Sequence, residues 1–474
     1  MITQEKINCK QPEKFFMRKL SVILFILLFL MPLSVCAKKQ EDNSYKLAYI
    51  NIDWWENYKD PILREYMLRI YNDNQDIKIA TIKSEQSNQV VKMSLGQELP
   101  QIGFNPNISR EFASSDVYFG NVIIPNYTQS RFLLPLTMNY EVDIWGKNRQ
   151  ITKSFSKELE MEKQNERASY ILVTSAFASD YFNLVKADAL LKNQKKLVEL
   201  QKNIVEATDK KYQSGLCPVS ILLEEKQILT NFEEQLNSLK EKQDVLENQL
   251  YVYLGDRTNH GIKRTAYEDL YLVTIPESID STAIKYRPDM IRTEKYIEKA
   301  GLLVKVARKE FLPSFTLYGQ VGFNAYQLSK IFTHHTFLSN IGVMPNLDLF
   351  TGGTKIARFK YRKLEYQKAL QYYEKTVLTS IQELNDSLVS AKTTDKNRKI
   401  SDERYDIEFQ KFSLAEKKQN IGASGSIEFM KAQERLLESE NSKISGRINY
   451  LISTINLYKA VGGLDYNKLE EATL

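Results

Sequence analysis

The sequence predicts a mainly α chain with a smaller β membrane part, built from two structural repeats of long antiparallel helices and strand pairs. Three observations carry that prediction. Only 18 Gly and 12 Pro punctuate 474 residues, so the elements between breaks must be long. In FLPSFTLYGQVGF (311–323), Phe315, Leu317, Val321 and Phe323 share one face and Thr316, Tyr318, Gln320 and Gly322 the other, which is the period of a strand. That segment also has a twin, because LPQIGFNPNISREF (99–112) matches LPSFTLYGQVGF (312–323) at an offset of 213. NQDIKIA (74–80) matches RPDMIRT (287–293) at the same offset, and Asp76–Pro100 and Asp289–Pro313 are both 24 residues apart. Two matches at one spacing mark a repeated unit.

The elements follow in order. Residues 17–37, MRKLSVILFILLFLMPLSVCA, have a basic start, a short apolar run and small residues after Pro32, so 1–37 reads as a secretory signal, with Met1 or Met17 as its start. Two processing chemistries stay open: cleavage after Ala37, or a lipobox in which Cys36 carries the lipid anchor. With Cys36 removed, Cys217 would stand alone, so export is read from the signal and not from disulfides. The first repeat spans 38–254, with a strand pair at about 100–142 and long helices over 147–254. A mixed connector covers 255–280. The second repeat spans 281–474, with a strand pair at about 312–350 and long helices over 353–460.

Apolar residues seven apart mark the helices. Leu190, Leu197 and Ile204 form one set, Leu222, Leu229 and Leu236 another, and Met430, Leu437, Ile444, Leu451 and Tyr458 a third. Such seams pack helices lengthwise against helices. YQSGLCPVSILLEEKQ (212–227) and QNIGASGSIEFMKAQE (419–434) echo one another and set Gly215 against Gly422, each turning one long helix into the next.

Four alternating, aromatic-rich segments of about ten residues have the dimensions of outer-membrane strands. A sheet in hydrocarbon cannot leave its edges open, and four strands are too few to close a barrel. The chain therefore must oligomerise, and three copies would supply twelve strands.

At these residues the chain resembles the TolC-like outer-membrane efflux factors over nearly all of its mature length. WWENYKDP (54–61), YEVDIWGKNR (140–149), YRPDMIRTEKYIEKAGLLVKVARKEFLPSF (286–315) and LDLFTGGTKIARFKYRKLEYQKAL (347–370) carry the likeness. The resemblance implies a homotrimer in the outer membrane, with a transmembrane β-barrel continued by a periplasmic α-barrel. It implies a passive exit duct for small molecules handed over by an inner-membrane efflux transporter and a periplasmic adaptor protein. The alternatives are a periplasmic coiled-coil scaffold without a pore and the exit duct of a type I protein secretion system. By the same resemblance, Gly215-Leu216 and Gly422-Ala423 are the adaptor-contact turns. Glu428 and Lys431 fall where relatives place acidic residues at the pore constriction. Lys431 departs from that pattern and is expected to pair with Glu428, three residues away on one helix face.

No catalytic constellation is present. His260, His334 and His335 lack spaced carboxylate or cysteine ligands, so neither metal nor cofactor is expected. FTGGTK (350–355) lacks the spacing of a phosphate loop. Basic runs such as KIARFKYRK read as a solvated exterior rather than a nucleic-acid surface. Formal charge is +6, and removing residues 1–37 leaves 60 Lys/Arg against 57 Asp/Glu, too even to bind a polyanion.

Overall fold

The structure, a computed structural model, describes residues 54–113, 118–119, 122–123, 126–256 and 261–463. Cys36, the signal segment and His260 lie outside them. After a 3-10 turn at Trp54–Tyr58 come α1 (Pro61–Asp73) and α2 (Gln75–Gln97), then β1 (Gln101–Phe104), β2 (Asn107–Ala113), β3 (Tyr118–Phe119), β4 (Val122–Ile123) and β5 (Tyr127–Glu141). Two long helices follow, α3 (Lys147–Gln213) and α4 (Val219–Leu254). The second half runs α5 (Pro288–Lys309), β6 (Ser314–Ala325), β7 (Phe337–Asn346), α6 (Thr354–Asn420) and α7 (Ser426–Ala460). Helices α3 and α6 each have 67 residues, about 100 Å at 1.5 Å per residue.

All pairings in the main sheet are antiparallel, in the order β1–β5–β6–β7, with β2 also on β5. The first outer strand is interrupted at Asn105 and Pro106: Asn105 N–H still donates to the carbonyl of Pro135, the residue opposite it in the register, at 3.4 Å, but Pro135 has no N–H to return the second bond of the pair. Beneath the sheet the helices keep the strand order, α2 against α3, α3 against α5 and α5 against α6. Below that level α4 and α7 pack on α3. No helix among the described residues is long and apolar enough to cross a membrane.

A buried aromatic knot fixes the N-terminal segment to this frame. Trp54 stacks on Tyr458 at 4.4 Å, and Trp55, Tyr58, Phe177, Tyr181 and Phe182 are buried around it. Asp60 caps α1 by accepting from Ile62 N–H (2.9 Å) and Leu63 N–H (3.0 Å), and also accepts from the Tyr181 hydroxyl (2.9 Å) and the Thr265 hydroxyl (2.8 Å). One buried carboxylate thus ties α1, α3 and the connector together, all of its near donors being satisfied.

Two buried arginines, one on α3 and one just before α5, hold the end of α7. Arg287 donates to the Ala460 carbonyl at 2.7 Å and Arg167 to the Gly462 carbonyl at 3.2 Å, just past the C-terminus of α7. Cations suit that negative end. Burial pulls the Arg167 guanidinium below its ordinary pKa. Gly462 has φ +74°, and a Cβ there would come within 2.7 Å of the Arg287 Cα, so only glycine lets the backbone approach.

Candidate functional site: a two-faced sheet and a clasped tip

The register separates the sheet into two faces. On one, Leu136 pairs with Val321, Leu134 with Phe323 and Leu317 with Val343. Ile108, Phe104 and Ile341 extend the same face and are more than half exposed in the single chain. On the other, Thr137 pairs with Gln320 and Asn139 with Tyr318, Arg131 donates to the Asn324 side chain at 3.2 Å, and Asn340 donates to Gln320 at 3.3 Å. An apolar outside and a polar inside is the alternation of an outer-membrane barrel. β1 with β2, and β7, each pair on one side only among the described residues, so the sheet in one chain has two open edges.

His334 and His335 lie in a 3-10 turn between β6 and β7, with rings 5.8 Å apart. No group of three or more His, Cys, Asp or Glu able to hold a metal occurs among the described residues. Gly352 and Gly353 have φ +59° and +83° and form the bend from β7 into α6, with Gly353 as the N-cap.

At the opposite end of the long helices, Gly215 (φ +73°) and Gly422 (φ +69°) turn α3 into α4 and α6 into α7. Leu216 N–H donates to the Lys211 carbonyl at 2.9 Å and Ala423 N–H to the Lys418 carbonyl at 2.8 Å, the six-to-one closure that needs a left-handed residue just before it. Leu216 and its second-repeat neighbour Ile421 are 75% and 80% exposed. Cys217 is half-buried, its Sγ 3.7 Å from the Thr208 carbonyl.

Glu428 is exposed in the first turn of α7 and accepts from the Ser424 hydroxyl at 2.8 Å. Lys431 does not pair with it. Its ammonium donates instead to Glu225 Oε1 on α4, a correction to the expectation from spacing. The physical reason is burial: the Glu225 side chain is only 5% exposed, and a buried charge needs a counter-charge more than a solvated one does. Gln201 on α3 completes the clasp, its Nε2 donating to Glu225 Oε2 at 2.8 Å and to the Glu225 carbonyl at 3.0 Å.

The clasp lies beside an apolar cluster of Leu197, Val198, Leu200, Ile204, Phe232 and Leu437, with Leu229, Leu236, Ile427 and Met430 against it. These include residues of all three heptad sets. Glu434, one turn along from Lys431, has its carboxyl pushed above the ordinary carboxylate range by burial, and Glu438 adds to the shift. Spacing alone missed Glu225, although it falls on the Leu222–Leu229 stripe, where a charged residue signals a specific partner.

This fold and site define an outer-membrane channel subunit: a sheet with a lipid face and a water face, continued by paired long helices. The chain belongs to the outer membrane efflux protein family, whose profile matches residues 69–256 and 281–463. Its place is the outer membrane, and the family comprises transporters rather than enzymes. It is similar to the probable efflux pump outer membrane protein TtgC of Pseudomonas putida, 23% identical over 426 residues, covering 88% of this chain and 86% of that one. It is 21% identical to the probable outer membrane lipoprotein SilC of Salmonella typhimurium, covering 88% and 89%. Among solved structures, the CmeC outer membrane channel of Campylobacter jejuni has a TM-score of 0.79 at 23% identity, covering 90% of this chain and 92% of that chain.

Proposed function

We propose that the chain is the passive exit duct of a tripartite efflux system, working as a homotrimer with a periplasmic adaptor and an inner-membrane transporter. The single observation that carries this reading is the split of one sheet into an apolar and a polar face with both edges open. A scaffold has no use for such a sheet. Three copies close it into twelve strands and leave the polar face on the inside. The first repeat would span 38–254 and the second 281–474, joined by the connector at 255–280.

Leu216 and Ala423, beside Gly215 and Gly422, form the adaptor-contact turns, supported by the exposure of Leu216 at the end of its hairpin. Glu428 supplies the constriction, one carboxylate per copy around the threefold axis, favouring cations. Lys431 belongs to the clasp rather than to the ring, because its charge is committed to Glu225. The likeness to SilC, named as a lipoprotein, supports Cys36 as the lipid anchor. The test is conductance of the purified protein in planar bilayers, wild type beside Glu428→Ala. Discrete channels whose cation preference falls several-fold in the variant support the assignment, and unchanged selectivity moves the constriction away from Glu428.

A further inference from the structure

The helices meet the sheet in a strongly basic layer. In the three turns nearest the sheet, residues 87–97, 147–157, 299–309 and 354–364 carry one, four, four and five Lys or Arg and no Asp or Glu, although the chain beyond residue 37 is almost even in charge. The basic run KIARFKYRK belongs to this layer. We propose that its outward lysines, Lys92, Lys153, Lys305 and Lys360, form a collar that binds anionic phospholipid headgroups of the periplasmic leaflet. The collar rests on the duct reading above, which sets the outer side of the helices.

The four lysines occupy equivalent places in the two repeats. Lys92 on α2 and Lys305 on α5 are 213 residues apart, the offset that separates Asp76 from Asp289. Lys153 on α3 and Lys360 on α6 are 207 apart, as are Lys147 and Thr354, the first residues of those helices. Each of the four helices beneath the sheet therefore contributes one lysine. Lys92 and Lys305 stand five and four residues before the ends of their helices, and Lys153 and Lys360 six after the starts of theirs. At 1.5 Å per residue all four lie about 6 to 9 Å from the sheet-side helix ends.

Their direction follows from α3. Its Tyr181 hydroxyl donates to Asp60, the cap of α1, and accepts from Thr265 N–H of the connector. In a duct this is the outer face, since α1 and the connector on the other side would fill the passage. Counting back in sevens from Tyr181 through Thr174, Arg167 and Glu160 reaches Lys153, and a seven-residue stripe keeps to one face of a helix packed lengthwise against others. Glu298 of α5 pairs at 2.8 Å with Lys157, beside that stripe, and Lys305 stands seven residues after Glu298. Repeat equivalence carries the same direction to Lys92 and Lys360.

Neighbouring cations are committed elsewhere. Lys147 pairs with Glu141, Arg149 with Asp143, Lys355 with Asp348 and Arg358 with Glu310, so the acids around the linkers are taken by the helix residues nearest them. Lys92, Lys153, Lys305 and Lys360 are exposed and carry no ion pair among the described residues. Between them and the apolar face of the sheet, the linkers expose Trp145, Phe311, Leu349 and Phe350, and such side chains sit at the boundary between hydrocarbon and headgroups. A lysine one to two turns beyond that boundary lays its stem along apolar surface and reaches the phosphates with its ammonium. Each such contact with an anionic leaflet strengthens binding about fivefold.

The experiment compares headgroups in the full-length protein reconstituted into phosphatidylcholine bilayers. Spin-labelled phosphatidylglycerol and spin-labelled phosphatidylcholine report, by electron spin resonance, how much of each lipid the protein surface holds. The expected result is a preference for phosphatidylglycerol of about fivefold in wild type, screened away at about 1 M salt. It should fall to about unity when Lys92→Gln, Lys153→Gln, Lys305→Gln and Lys360→Gln are combined, and persist when the same four become Arg. No preference in wild type, or one that the glutamines leave unchanged, overturns the collar. Conductance of the same samples separates the two readings. Discrete channels without a headgroup preference overturn the collar and leave the duct intact. Glutamines that change ion selectivity but not lipid preference put the lysines on the water side and overturn the collar too. Wild type without channels overturns the duct reading on which the outer face depends.

Discussion

Replacing Lys431 by Met leaves the Glu225 carboxylate buried with Gln201 as its one remaining side-chain donor. Removing one partner of a buried ion pair costs about 3 to 5 kcal/mol in general. Here the Lys431 side chain is 39% exposed, and the Gln201 bond survives, so the loss reduces to that of one charge-assisted hydrogen bond, about 2 kcal/mol. The clasp joins α4 of one hairpin to α7 of the other, so the cost falls on the lower ends of the long helices. Hydrogen exchange read peptide by peptide should show amides of 197–232 and 426–437 opening about 30-fold more often in Lys431→Met. Amides around Asp60 and Tyr181 should not change. Glu225→Gln should recover most of the loss in the Lys431→Met background, because it removes the orphaned charge. Exchange within twofold of wild type in Lys431→Met, or strictly additive single and double variants, would refute the clasp as a determinant of tip stability.

Two further outcomes follow from the same end of the molecule. Glu434 has a folded-state pKa raised by burial and by Glu438, so its ionised form disfavours the fold above the unfolded carboxyl pKa of about 4.3. Wild type therefore gains stability as pH falls through the raised value. Glu434→Gln should unfold at a higher temperature than wild type at pH 7.5, the difference closing as pH approaches about 4; a pH-independent difference contradicts this. Gly422→Ala meets open space but keeps φ +69°, at a cost of about 1 to 2 kcal/mol, whereas Gly425→Ala, at φ −77° with open space, meets no such strain and should cost less. Thermal midpoints of the two variants that coincide would remove the turn argument.

Helix and strand order was legible because long periodic segments leave little ambiguity. The Gly215 and Gly422 turns were legible because only one residue type takes a left-handed cap freely. What spacing could not show was partnership across elements. Lys431 and Glu428 stand three apart on one helix, and that proximity is visible in sequence; the buried carboxylate of Glu225, about 200 residues away along the chain, is not. The faces of the sheet likewise needed the ladder, since a one-residue slip would exchange lipid and water sides. The break at Asn105 and Pro106 carried a signal, proline in a strand, that became interpretable only with β5 alongside.

If copies close into the proposed barrel, the polar face of the sheet lines water and the apolar face meets lipid. The protein reconstituted in lipid with Thr137→Cys or Leu136→Cys, each in the Cys217→Ser background, can be treated with a charged, membrane-impermeant thiol reagent and the labelling rate followed by mass. Thr137 and Leu136 are neighbours on one strand with opposite faces. Labelling at Thr137→Cys should be more than tenfold faster than at Leu136→Cys; equal rates, or faster labelling at Leu136→Cys, would refute the assignment of the two faces.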